Sequence, residues 1–359
     1  MTCAPNPPMT TTLCAEGVTL KQAGHLNFPE GVTIVFADNN PGYIWLDDFY
    51  ESKREPDTNY GVYFHHQLWG SGPHLVQGVA PAKAYEMFKI AYEHESHHYA
   101  LMNVSNVREF ILGIEASSDI LTDLHDFDPD NYLQQWCEDR FGTAGELAHQ
   151  AYQHLFNSYQ VAPKTQTPCT LDGQLKSFGL SQLYEIQQMI KDPEAYWQNR
   201  QEIKEPHPWW HTQPYIFPGR FMYHDDYEAG VEKQLEILAK ADTLIAPIKQ
   251  QLTGDTLQFF TMNYEAQFKI IHGLSQWCNQ VIKANKAMQK ENKEEALHHL
   301  QQAEEAITLA KSGQELASQG KWQHWYRGDT KFNMPEVERV TEETMQMLED
   351  HSKRRTPKG

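Results

Sequence analysis

The run Val32-Thr33-Ile34-Val35-Phe36-Ala37 narrows the folds open to this chain more than any other segment. It is short, mostly apolar and rich in β-branched side chains, and it is bounded by Gly31 and by Asp38-Asn39-Asn40. It does not alternate apolar with polar residues, so a strand with one wet face does not fit it. A strand covered on both faces does, and such strands belong to parallel sheets flanked by helices. Two further strands are read at Gly61 to His66 and at Tyr99 to Val104. Between them, Pro81 to Glu93 carries Ala84, Met87, Phe88 and Ala91 at helical spacing. Strand, helix, strand with short connections is the parallel α/β pattern. A helix is also expected from Leu13 to Gly24, closed by Gly24 and Pro29.

From about Asp128 the strand signals stop. Helices are predicted over Tyr132 to Phe141, Ala144 to Tyr159 and Ser181 to Lys191. A Pro- and Trp-rich stretch, Glu205 to Pro218, interrupts them and reads as a surface loop. Three long amphipathic helices follow. Their stripes are Val231, Leu235, Leu238, Ile245, Ile248 and Leu252; then Phe259, Met262, Ala266, Ile270, Leu274, Trp277 and Val281; then Ala296, Leu300, Ala303, Ile307 and Ala310. One dry face per helix predicts a helical bundle. The expected domains are therefore 1–127 (α/β) and 128–359 (all-α), within the reach of 359 residues. Three parallel strands are too few to close a barrel, which needs about eight. The alternatives are a small open sheet or a chain lacking the N-terminal part of a larger domain.

A formal net charge of −18 argues against nucleic acid or an anionic membrane as partner, since both require basic patches. No apolar run is long enough to span a bilayer. The segment MTCAPNPPMTTT shows no signal peptide, and the compartment stays open. Cys3, Cys14, Cys137, Cys169 and Cys278 include no C-x-x-C pair, so neither a zinc knuckle nor a disulfide framework is expected. No cofactor and no metal are expected. A homodimer through the helical region is the one self-association considered.

In parallel α/β folds, ligands lie beyond the carboxyl ends of the strands. Asp38, Asn39, Asn40 and Tyr43 follow the first strand. Tyr63, His65, His66 and Trp69 lie on or after the second. Asn103, Asn106, Arg108 and Glu109 end or follow the third. Asp38-Asn39-Asn40 alone would pass for a turn. Three strand ends of one character point to a site for a carbohydrate: amides and carboxylates bond hydroxyls, aromatic rings cover sugar faces, and Arg108 suits a substrate carboxylate. Glycosidases need two carboxyl groups. Asp38 and Glu109 are the expected catalytic pair, with an inverting separation on the order of 6.5–9.5 Å. Asn39, Asn40, Tyr43, Tyr63, His65, His66, Trp69, Asn103, Asn106 and Arg108 are the expected substrate-binding residues. Asp47, Asp48, Glu51 and Glu55 are reserves on an acidic loop.

Two other features compete. His94-Glu95-Ser96-His97-His98 has the H-E-x-x-H spacing of zinc proteases, but that chemistry needs both histidines on one helix face. Here the helix ends near Glu95 and a strand begins near Tyr99. Trp209, Trp210 and His211, with Tyr215 and Phe217, read as an aromatic seam or a carbohydrate platform.

These residues resemble glycoside hydrolase family 115, the xylan α-1,2-glucuronidases. The likeness runs from Pro29 to Ile44, where the family has W-x-D-D-N-x-G. It continues through Gly61 to Gly70, similar to G-V-Y-Y-H-V-S-Y-x-G, and Asn103 to Asn106, similar to N-V-G-D. Gly320-Lys321-Trp322 resembles the family's G-K-W. The resemblance implies a divergent, N-terminally truncated member: a partial TIM-like (β/α) barrel, its C-terminal strands only, followed by an all-α helical bundle. It implies metal-independent inverting hydrolysis of uronic acid side chains from plant polysaccharides. Asp38 and Asn40 then fall on the D-D-N element, Tyr63 and His65 on Y-Y-H, and Asn103 on N-V. Asn39 and Asn106 replace family aspartates, and Glu109 matches a family glutamate only with a two-residue shift. Those departures set a second expectation beside hydrolysis: a non-catalytic carbohydrate-binding relative or inactive fragment.

Overall fold

The computed structural model describes residues 7–13, 17, 20–21, 23–38, 42–68, 72–104, 106–161, 167–201 and 224–355. Four strands form one sheet in sequence order: β1 (Met9–Leu13), β2 (Val32–Ala37), β3 (Tyr60–His65) and β4 (Tyr99–Asn103). All neighbours are parallel. Leu13 therefore closes a strand; it does not open a helix as its surroundings suggested. Three β-branched threonines precede it, and Met9–Leu13 pairs along Val32–Phe36, which leaves Leu13 buried. Three short helices lie in the same unit as this sheet, α1 (Asp47–Glu51), α2 (Pro81–Glu93) and α3 (Ile111–Thr122), and α4 (Tyr132–Phe141) follows them along the chain.

The register assigns the two faces. Ala37 pairs with Tyr63, Tyr63 with Leu101, and His65 with Asn103, so these side chains share one face. Phe36, Val62, Phe64, Ala100 and Met102 take the other. There Phe64 packs on Phe88 of α2 at 5.0 Å, and the indole of Trp45 donates to the Met87 carbonyl at 3.1 Å. Val35, Phe36 and Ala37 are fully buried, as a two-face-covered strand requires.

The described residues cluster into two units. One runs up to Leu68 and resumes over Gln77–Trp136; the other takes in 72–76 and the chain from Cys137. The second unit is helical: α5 (Gly145–Ser158), α6 (Asp172–Lys191), α7 (Pro193–Gln201), α8 (His224–Gln251), α9 (Gly254–Phe260), α10 (Ala266–Gln289), α11 (Lys293–Ala317) and α12 (Met334–Arg355). Helix α6 starts earlier than the periodicity suggested. Gln174 accepts the Leu171 N–H at 2.9 Å and caps the turn. The buried Asp172 carboxylate accepts the backbone N–H groups of His74, Leu75 and Val76, which fastens the 72–76 segment inside this unit. A π-turn, Thr261–Glu265, links α9 to α10. The Trp209, Trp210, His211, Tyr215 and Phe217 cluster lies outside the described residues.

Helices α10 and α11 meet along a seam of small residues. A Cβ on Gly273 would lie 2.5 Å from the Ala310 backbone nitrogen, and one on Gly313 would lie 2.5 Å from the Ala266 carbonyl oxygen. Backbone cannot yield as a side-chain tip does. We predict that Gly273→Ala destabilises the protein by about 1–3 kcal/mol, overpacking outweighing the roughly 1 kcal/mol that alanine gains over glycine within a helix. Urea unfolding checks this, and a stabilised variant would contradict the seam.

Candidate functional site

The carboxyl ends of β2, β3 and β4 are laced together by polar side chains. Asp38 follows β2 and is fully buried. Its Oδ2 accepts the backbone N–H of His65 at 2.6 Å, and its Oδ1 lies 2.8 Å from Nδ1 of the same residue. A carboxylate accepts only, so Nδ1 carries the hydrogen and Nε2 is left as the basic nitrogen. The Tyr63 ring packs on the His65 ring at 4.2 Å. The Tyr63 hydroxyl accepts from the Asn103 amide at 3.1 Å. The Asn103 carbonyl accepts the N–H groups of His66 and Gln67. Asp38, Tyr63, His65 and Asn103 thus form one connected group.

Gly42 sits at φ 74°, and a Cβ there would lie 2.5 Å from the His65 carbonyl oxygen. Only glycine combines that backbone with that approach. Tyr43 donates its hydroxyl to the Gly78 carbonyl at 2.8 Å, and burial pushes its phenol upward. Tyr43 is therefore committed to an internal bond.

His66 points the other way, as alternation along a strand requires. It is buried, its Nε2 lies 2.7 Å from the Ser117 hydroxyl, and its ring meets Phe64 edge-on. Gly113 makes room for it: a Cβ there would be 2.7 Å from Nδ1. Burial lowers the His66 pKa to about 4, with the neighbouring His65 adding to the effect. Ser117 and Gln77, whose side chain accepts the Gly113 N–H at 3.1 Å, carried no signal in the sequence. They lie in a helix and a loop far along the chain.

Beyond β4, Arg108 and Glu109 are both buried and pair with each other at 3.0 Å. Asn106 is half-buried, and its carbonyl accepts the Glu109 N–H. Asn39, Asn40 and Trp69 lie outside the described residues. Among the reserves, Asp47, Glu51 and Glu55 are exposed. Asp48 is buried, and burial raises it to about 6 against the pull of Lys21. His94 ends α2 as its cap, and Glu95 at φ 54° turns the chain, so His94 and His98 share no helix face.

Fold and site together define a parallel α/β unit with a polar cluster at the carboxyl ends of its strands. Residues 3–168 match the model for glycosyl hydrolase family 115. The chain also resembles a solved structure described as a novel family 115 4-O-methyl-α-glucuronidase with specificity for decorated arabinogalactans. Identity is 15% and the TM-score 0.53; the match covers 92% of this chain and 38% of that one. The chain thus spans less than two-fifths of the length of that relative. A search of curated proteins finds no match.

The pH dependence of stability tests the core assignment of His66. Burial holds its folded pKa at about 4, below the ordinary 6.5 of histidine, so between pH 6.5 and 4 the unfolded chain binds the proton and the folded chain does not. Stability from this residue is intact above 6.5 and falls as pH drops to 4, by about 3 kcal/mol at 1.36 kcal/mol per unit. Asp48 and Asp172, both raised to about 6 by burial, pull the curve the opposite way over part of that window. The informative quantity is therefore the difference between wild type and His66→Gln. A difference that does not change between pH 4 and 6.5 would remove the buried neutral imidazole.

Proposed function

We propose that the strand-end cluster binds a uronic acid sugar and that the chain acts as a glycoside hydrolase on polysaccharide side chains. The Asp38–His65–Tyr63–Asn103 network carries this reading, because it lies at the carboxyl ends of parallel strands within the family segment. In this proposal the four strands are the C-terminal strands of a (β/α) barrel. The face bearing Tyr63, His65 and Asn103 is its interior, and the helices of 128–359 form a bundle with a homodimer contact. The description of the similar solved structure supports a 4-O-methyl-α-glucuronosyl substituent as the sugar released, with the polysaccharide hydroxyl as leaving group.

The geometry refines the roles. Asp38 spends both oxygens on His65 and acts as a positioning residue that fixes the imidazole's tautomer and orientation. His65 is the group that meets the sugar through Nε2. Glu109, beside Arg108, is the proposed general acid, His65 Nε2 held by Asp38 is the proposed base toward the attacking water, and Arg108 is the proposed partner of the uronate.

Release of uronic acid from glucuronoxylan oligosaccharides by the intact chain provides the test. His65→Ala should lower kcat/KM by about 100-fold or more, and Asp38→Asn by about 10–100-fold. Glu109→Gln should abolish turnover and leave sugar binding intact. Unchanged turnover in all three would remove these residues from the reaction.

One observation favours a second reading, a relative that binds without cleaving. Asp38 and Glu109, the two carboxyls expected to do the chemistry, are both buried and internally engaged. That reading predicts calorimetric binding of glucuronic acid that His65→Ala weakens, with no product released by the wild type.

A further inference from the structure

A cavity of about 370 Å³ opens on the sheet face opposite Tyr63, His65 and Asn103. It lies toward the amino ends of the strands, against Tyr99 and Ala100 at the start of β4. Its floor is Val62, Phe88, Ala91, Ala100 and Ile120, all buried except the half-buried Ala100. The rim is formed by the exposed Tyr92, His97, Asp123 and His125.

The rim is a built corner. The Tyr92 ring packs on His97 at 4.8 Å and meets His125 edge-on at 5.4 Å. Glu95 at φ 54° and the Ser96 N–H donating to the Ala91 carbonyl fix the turn that presents His97. Asp123 Oδ1 accepts the N–H groups of His125 and Asp126 at 3.1 Å each, which fixes the turn that presents His125. The one polar side chain buried in the lining, Ser96, already bonds the His94 carbonyl and Arg54.

These features select a ligand. The volume falls in the range of small-molecule sites. The floor accepts an apolar body and provides no open polar partner for a sugar's many hydroxyls. The rim suits ring stacking and one or two hydrogen bonds. Asp123 at the mouth and the net charge of −18 disfavour an anion. We propose that this cavity binds an uncharged phenol-type ring, apolar edge inward and hydroxyl at the rim. The site is separate from the strand-end cluster and does not rest on the sugar reading.

Isothermal titration of the intact chain with 4-ethylphenol should show saturable one-to-one binding, with Kd on the order of 1 mM or tighter. 4-Ethylbenzoate should bind about tenfold more weakly or not at all. Tyr92→Ala, at an exposed position, should weaken binding about fivefold, and Ala100→Leu, which fills the floor, should abolish it. If Ala100→Leu does not fold by circular dichroism, Tyr92→Ala decides alone. Absence of saturation, a Kd unmoved by the folded variants, or methyl β-D-xylopyranoside binding as tightly as the phenol would each overturn the proposal.

Discussion

The two bonds from Asp38 to His65 hold the strand ends in their arrangement. A fully buried carboxylate is costly unless its oxygens are satisfied, and here one residue supplies both hydrogens. The backbone N–H of His65 is taken at the last position of β3, so the bond also sets how β2 and β3 finish relative to each other. The ring is then fixed in tautomer and tilt, and Tyr63 and Asn103 build outward from it. Gly42 permits the backbone to approach the His65 carbonyl closely, and Tyr43 is tied to Gly78. Removing the Asp38 carboxylate would therefore disturb a geometry and not merely a charge.

Adjacent histidines show how one strand serves two purposes. His65 and His66 differ by a single residue and face opposite sides of the sheet. His65 joins the polar cluster. His66 is driven into the apolar side, loses its ordinary basicity to burial, and is compensated by Ser117. Chemistry alone does not distinguish the two imidazoles; position along the pleat does. Glu109 carries the same lesson for acids, since its pairing with Arg108 makes it part of a buried ion pair as well as a candidate for proton transfer.

Much of this was legible in the residues. The apolar, β-branched Val32–Ala37 announced a strand covered on both faces, and the period of Pro81–Glu93 announced the helix beside it. The polar character of three strand ends located the cluster, and the family resemblance was borne out over 3–168. The strand at Met9–Leu13 was not legible, because three threonines and one leucine carry no period, and only pairing with β2 makes them a strand. The direction of His66 was hidden because it depends on register. The dependence of Asp38 on His65 was hidden because 27 positions separate them, and composition carries no information about distance. The rim of Tyr92, His97 and His125 was not legible because its rings come from two separate turns, and only the fold brings them together.

The same four strands therefore present two unlike ends. At the carboxyl ends, polar side chains are bonded to each other and to backbone, which preserves a defined arrangement. At the amino ends, the chain turns from α2 into β4 and from α3 toward α4 through Glu95 and the Asp123-capped turn, and rings gather where those turns meet. Polar lacing needs the strand register to be fixed, because its partners come from three neighbouring strands. Ring packing needs only the two turns. A change in register would thus dismantle the carboxyl-end cluster before it disturbed the rim, which makes the cluster the more demanding feature for the fold to maintain.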